Sequence, residues 1–328
     1  MRYIYFHLKM SILPRNHMKT PSTFIVLTVL FLFALNAGAA QEDSTKVASQ
    51  NPSPMTDSTR PHKRIEQKEY QGVTFEIAGL FPKPLQAFIP QKSLKKKKLD
   101  LLVHFHGAAY VTQDAATRYR GDIVAVTLNV GSGSKVYNDA FADTSRFMAL
   151  IDSVLAGAAR QVGHSVRLNR VILSGFSAGY GAIRRIIMTS ANYARVDAVL
   201  LLDGIHASYV PERRVLAQGG RIDSTGLTPY LMLARDALSS SSRKRFLITH
   251  SEIFPGTFVS TTEATDYLIN QLGLKRRPVL REGPLGMQQL SATRKGRFAV
   301  WGFAGNTAPD HVDHVQALSW FLNALMRL

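Results

Sequence analysis

The residues whose types and spacing could do chemistry are Gly175-Phe176-Ser177-Ala178-Gly179. The apolar run Val171-Ile172-Leu173 leads into them, and the helical-looking stretch 182–188 follows. A strand that turns sharply into a helix can project a serine hydroxyl from its apex only if the neighbouring residues are small. Gly175 and Gly179 meet that need by letting the two backbones approach each other. The chemistry this suits is nucleophilic attack by the Ser177 hydroxyl on an acyl carbon, once a neighbouring base takes its proton. With Gly and Ser at about 7% each, a G-x-S-x-G pentapeptide arises by chance in roughly one chain in ten of this length, so the strand before it and the helix after it give it weight.

Those elements belong to a longer alternation. Strand-like runs fall at 73–77, 86–89, 99–105, 123–128, 170–173, 198–202, 245–249 and 298–301, eight in all. Several, such as Leu99-Asp100-Leu101-Leu102-Val103 and Ala198-Val199-Leu200-Leu201-Leu202, are nearly continuous in apolar residues, the pattern of parallel strands covered on both faces. Helical patterns occupy 139–162, 178–189, 229–238, 261–272 and 311–328. Ser260-Thr261-Thr262-Glu263 reads as a capping box and Asp310 as an N-cap. Two leading strands followed by repeated strand–helix alternation predict one α/β domain, with a mostly parallel eight-stranded sheet and helices on both faces. The connection 204–243 leaves room for a small lid at most, so no large cap domain is expected.

Composition narrows the class. The 328 residues carry a formal charge of +17 and no cysteine. Disulfides, thiolate zinc sites and an acylated cysteine anchor are therefore excluded. The densest basic run, Lys95-Lys96-Lys97-Lys98, has no interleaved aromatics and reads as a solvated turn, with docking to an anionic envelope surface as the alternative. No helix-turn-helix, zinc-finger or RNA-binding signature accompanies it, and no nucleic-acid partner is expected.

The apolar run 24–35 is preceded by Arg15 and Lys19 and followed by Asn36-Ala37-Gly38-Ala39-Ala40, the parts of a secretory signal peptide cleaved after Ala39. It is too short to span a bilayer comfortably, since a transmembrane helix needs about 20 residues. The segment 40–69, rich in Ser, Thr, Pro, Gln and charge, reads as a disordered linker, with order beginning near Tyr70. The expected organisation is a signal peptide over 1–39, a linker over 40–69 and one domain over 70–328, in a secreted or periplasmic protein.

From about Tyr70 to the C-terminus the chain resembles an α/β-hydrolase, by its strand count and by a serine elbow on the fifth strand. The resemblance implies an oxyanion hole built from the N–H of Ala178 and an N–H of the segment His104-Phe105-His106-Gly107-Ala108, at Ala108 or its neighbour Gly107. The imidazoles of His104 and His106 themselves read as strand-end residues. The general base would come from the loop after the last strand, Gly305-Asn306-Thr307-Ala308-Pro309-Asp310-His311-Val312-Asp313-His314, where His311 and His314 compete. Two histidines at this spacing, with no cysteine and no third partner, make a poor metal site, and neither metal nor cofactor is expected. The acid is either Asp203, at the end of the sixth strand, or Glu252, after the seventh strand where the superfamily more often takes it.

The function these features imply is a serine hydrolase acting on a small-molecule or polymeric carboxylic ester through an acyl-enzyme. Two alternatives use the same fold: a catalytically inactive protein that binds an anionic envelope polymer, and a serine peptidase. Peptidases of the superfamily often carry an extra propeller or cap domain, for which this chain has no room.

Overall fold

Strands made only of apolar residues have no polar face to turn to water, so they are stable only when helices cover both sides. The computed structural model describes residues 60–328, and within them the chain follows that rule. The expected signal peptide and the linker up to residue 59 lie outside the described residues.

In chain order the elements are β1 (Gly72–Ile77), β2 (Leu85–Pro90), β3 (Lys98–Phe105), α1 (Ala109–Arg118), β4 (Ile123–Leu128), α2 (Ser134–Ala140), α3 (Arg146–Val162) and β5 (Arg167–Phe176). There follow α4 (Tyr180–Ile187), α5 (Ser190–Arg195), β6 (Ala198–Leu202), the short pair β7 (Tyr209–Val210) and β8 (Arg221–Ile222), α6 (Thr228–Leu238) and β9 (Arg245–His250). The chain ends with α7 (Thr261–Gln271), β10 (Arg277–Glu282), β11 (Gln288–Lys295), β12 (Phe298–Phe303), α8 (Ala308–Gln316) and α9 (Leu318–Leu325).

The main sheet has the order β1-β2-β4-β3-β5-β6-β9-β12-β11-β10. Its six central strands, β4, β3, β5, β6, β9 and β12, run parallel. β2 is antiparallel to both of its neighbours on one side, and β11 is antiparallel to both of its neighbours on the other. Alternate residues of one strand enter opposite cores. Leu101, Val103 and Phe105 of β3 meet α3, α4 and α6, while Leu102 belongs to the core formed with α1 and α9.

The sheet thus has ten strands where eight were expected. β10 and β11 are an added antiparallel pair at the edge, and β10 has no buried residue. Helix α1 was also not expected. The helical pattern 139–162 divides into α2 and α3 around Phe141, which is buried edge-on against Phe105. Asp143 then accepts the Ser145 N–H at 2.9 Å just before α3 begins. The run 311–328 likewise divides into α8 and α9 at Ala317. Lys95–Lys97 are exposed between β2 and β3 and Lys98 is exposed at the start of β3; Lys96 lies 3.7 Å from Asp122. Among the described residues no helix is long and apolar enough to cross a membrane.

Residues 60–69 carry no helix or strand, yet they are tied to the domain. Arg60 bridges Asp310 and Asp313, Arg64 pairs with Asp313, and His62 Nδ1 lies 2.9 Å from Asp313 Oδ2. The two carboxylates sit on α8 and are fully buried, so the arginines neutralise charges that water cannot reach. Breaking a buried pair from one side leaves an uncompensated charge. Arg60→Ala combined with Arg64→Ala is therefore expected to destabilise the fold by about 3 kcal/mol, read as a lower urea midpoint at unchanged slope. An unshifted midpoint would show that the strap contributes nothing to stability.

Candidate active site

Three chain reversals crowd together at the C-terminal ends of neighbouring strands. His106 follows β3 with φ 70°, Ser177 follows β5 with φ 46°, and Asp203 follows β6 with φ 44°. L-residues adopt this left-handed conformation at a cost of about 1–2 kcal/mol each, which the surrounding structure must over-determine. Here the over-determination is visible in the glycines. A Cβ on Gly179 would come within 2.3 Å of the Phe105 carbonyl oxygen of β3. A Cβ on Gly204 would come within 2.3 Å of the Ser177 carbonyl oxygen, so the Asp203-Gly204 turn lies directly against the serine backbone. Gly175 is tight against the Gly179 backbone at 3.0 Å, as the strand-to-helix approach requires. Between β5 and α4 the chain makes a single 3-10 turn, Ser177–Gly179, with Ser177 at its start.

Asp203 is 4% exposed and its carboxylate is saturated with donors. Oδ1 accepts the Ser251 N–H at 3.0 Å, and Oδ2 accepts the Ser251 hydroxyl at 2.6 Å. His311 Nδ1 lies 2.7 Å from the same Oδ2. Burial by itself would raise the carboxyl pKa. The neighbouring His314 and His311 imidazoles, together with the bonds from His311 and Ser251, outweigh that and hold Asp203 well below the usual carboxylate range. An ionised Asp203 is an acceptor only, so His311 carries its proton on Nδ1 and keeps the Nε2 lone pair free. The His311 ring lies 4.5 Å from the ring of Phe176, the residue before Ser177. The same Phe176 ring stacks on His106 at 5.8 Å.

The two pairs of alternatives therefore separate. Glu252, expected as an alternative acid, is exposed and does not serve His311: it accepts the Gly305 N–H at 3.2 Å while its own N–H donates to the Gly305 oxygen at 2.8 Å. It ties the loop after β9 to the loop after β12. His314, expected as an alternative base, is 1% exposed, one turn deeper along α8. Its Nδ1 lies 2.8 Å from Thr249 Oγ1, and its ring stacks on Phe321 of α9. Burial lowers its pKa to about 4. A base must have its lone pair where the substrate is, and His314 is enclosed by core.

Sequence reading passed over Ser251, whose two bonds orient Asp203, because nothing in its neighbourhood marks it. It also read His104 and His106 alike, although the structure divides them. His104 is fully buried beside Ser174 Oγ at 3.2 Å. His106 bonds through Nδ1 to the Tyr137 hydroxyl at 2.9 Å and borders the Ser177 cavity. That cavity, of about 910 Å³, is also bordered by Ala178, Tyr180, His206 and Phe258. Gly107 and Ala108 border a separate recess of about 320 Å³ with Pro82 and Asn129. The His106 N–H already donates to the Leu128 oxygen at 3.0 Å, so any donor from this segment lies after it.

Three buried histidines make stability depend on pH. Burial lowers the pKa of His104 to about 3 and of His314 and His250 to about 4, with the Arg276 charge adding to the effect on His250. The unfolded chain takes up these protons near the ordinary value of about 6.5, so it binds more protons than the folded chain between there and about 4. Their contribution is fully present above pH 6.5 and is lost as pH falls, by up to about 1.4 kcal/mol per unit for each histidine. The melting temperature is expected to drop steadily from pH 6.5 to 4.5, and His314→Phe to flatten the slope. A pH-independent melting temperature would contradict this account.

The six parallel strands flanked by antiparallel edges, with a serine at the strand-to-helix elbow after β5, define an α/β-hydrolase fold. No protein-family model matches the chain, and no curated protein matches it in sequence. Among solved structures it is similar to an esterase of Pyrobaculum calidifontis, at 14% identity over 80% of this chain and 86% of that one, with a TM-score of 0.42. It is also similar to a truncated carbohydrate esterase from gut microbiota, at 10% identity over 81% and 99% of the two chains, with a TM-score of 0.45. A third is an acylaminoacyl peptidase of Pyrococcus horikoshii, at 14% identity and a TM-score of 0.42, where 79% of this chain spans 42% of the longer one.

Proposed function

We propose that this protein is a serine hydrolase of carboxylic esters, with Ser177 as nucleophile, His311 as general base and Asp203 as the group that orients it. The observation that carries the reading is the 2.7 Å contact between buried Asp203 and His311 Nδ1, beside a serine held at φ 46°. In the first half-reaction Ser177 Oγ attacks the acyl carbon as His311 Nε2 takes its proton, and the carbonyl oxygen becomes an oxyanion. The Ala178 N–H stabilises that charge together with an N–H of Gly107 or Ala108, each such donor being worth about 10²–10³ in rate. Collapse breaks the ester C–O bond, and His311 returns the proton to the departing alcohol. Water then attacks the acyl-enzyme through the same histidine, and the acid is released. The leader read at 1–39 supports secretion or a periplasmic location.

A fluorophosphonate forms a stable adduct only with a serine that such a base activates. Incubation with the probe is expected to add one phosphonyl group, recovered on the peptide that contains Ser177, and to abolish p-nitrophenyl ester turnover in parallel. Absence of both labelling and ester turnover would overturn the proposal.

A further inference from the structure

The cavity beside Ser177 is bordered by a positive charge that no described residue pairs. Arg184 lies on α4 seven residues beyond Ser177, about 10 Å along the helix at 1.5 Å per residue. Helical side chains lean back towards the N-terminus, here the end that carries the serine. Its guanidinium sits over the Tyr180 ring, 5.6 Å from the centroid. A Cβ at Gly226 would be only 3.0 Å from Nη1, so the absence of a side chain there leaves room for the arginine on the cavity wall. The Arg184 side chain makes no ion pair or hydrogen bond with any described residue.

The acid that could neutralise it is otherwise engaged. Asp223 borders the same cavity, but its carboxylate accepts the Thr225 N–H at 3.0 Å and caps the turn that follows it. Arg185, also on the cavity wall, is anchored through Nη2 to the Ala142 oxygen at 3.2 Å and adds a second positive charge. The wall also carries the hydroxyls of Ser132, Ser134 and Ser208, beside the apolar Met188, Ala207 and Phe258. An arginine that lies over an aromatic face and against a glycine, paired with no acid among the described residues and bordering the cavity, has the chemistry of a carboxylate receptor.

We propose that Arg184 forms an anionic subsite. Resting on the ester-hydrolase reading above, it selects esters that carry a free carboxylate several bonds from the scissile carbonyl. The ester would then be held at both ends, its carbonyl at Ser177 and its carboxylate at Arg184.

The test compares p-nitrophenyl octanoate with the p-nitrophenyl half-ester of octanedioic acid. The wild-type protein is expected to favour the half-ester in kcat/KM by about 10- to 100-fold, the range of a charge-assisted arginine–carboxylate contact. Arg184→Gln is expected to bring that ratio close to one, and Arg184→Lys to keep part of it. In parallel, calorimetry with Ser177→Ala measures binding of octanedioate and octanoate, and the added Arg184→Gln change is expected to remove the difference between them. Equal hydrolysis of both esters with equal binding of both acids overturns the subsite and leaves the hydrolase reading standing. No ester turnover and no phosphonate labelling, with octanedioate binding still dependent on Arg184, overturns the hydrolase reading and leaves the subsite standing.

Discussion

Ser177→Ala is expected to lower kcat/KM for a short p-nitrophenyl ester by about 10⁴- to 10⁶-fold, the loss found when a serine nucleophile is removed from an intact oxyanion hole. The fold is expected to survive, because the Ser177 backbone, held by Gly204 and the turn up to Gly179, keeps its place without the hydroxyl. A companion variant separates catalysis from strain. Ser177→Gly removes the Cβ from a residue at φ 46° and is expected to be as inactive as the alanine variant, yet more stable than the parent by about 1 kcal/mol. Steady-state kinetics and thermal melts on the three proteins check both halves. Residual turnover above a hundredth of the parent rate in Ser177→Ala would remove Ser177 from the mechanism.

Asp203→Asn is expected to lower kcat by about 10⁴-fold with little change in KM, because the amide reverses the proton bookkeeping of the site. The carboxylate accepts from Ser251 N–H, from Ser251 Oγ–H and from His311. An asparagine offers a single acceptor atom. If that oxygen stays with Ser251, its NH₂ faces His311 Nδ1, which must then become an acceptor, so the proton moves to Nε2 and the base loses its lone pair. Glu252→Gln changes an exposed residue bonded to Gly305 and is expected to alter kcat by no more than about twofold, the scale of a surface substitution. The pair of variants therefore reads out which carboxylate serves the base. A larger loss in Glu252→Gln than in Asp203→Asn would reverse the assignment.

Much of the frame was legible because its signals are local. β6 is apolar throughout and β3 and β4 nearly so, the pattern of interior strands, and the Ser260 to Glu263 capping box marks the start of α7 as expected. What was missed lacks such a signal. β10 is Arg277-Pro278-Val279-Leu280-Arg281-Glu282 with no buried residue, and it becomes a strand only because β11 offers it an edge. Helix α1 begins directly at the His-Gly segment and carries a polar sequence, so its apolar side appears only where it meets α9. The Arg60 and Arg64 strap reads as charged spacer, because the carboxylates that hold it lie some 250 residues further along the chain.

The site divides along the same line. Gly175-Phe176-Ser177-Ala178-Gly179 was determined by sequence alone, since the constraint that makes it an elbow is steric and acts between residues a few positions apart. Whether His311 or His314, and Asp203 or Glu252, stands with Ser177 was not determined there, because all four lie on plausible loops in the same chain order. Tertiary structure separates the four by burial and direction, pairing His311 with Asp203 and holding His314 and Glu252 elsewhere. Three residues of helix separate an imidazole that meets Asp203 from one enclosed by Thr249 and Phe321. The turn that presses Gly204 against Ser177 also carries Asp203 to His311, whereas Glu252 faces the Gly305 backbone.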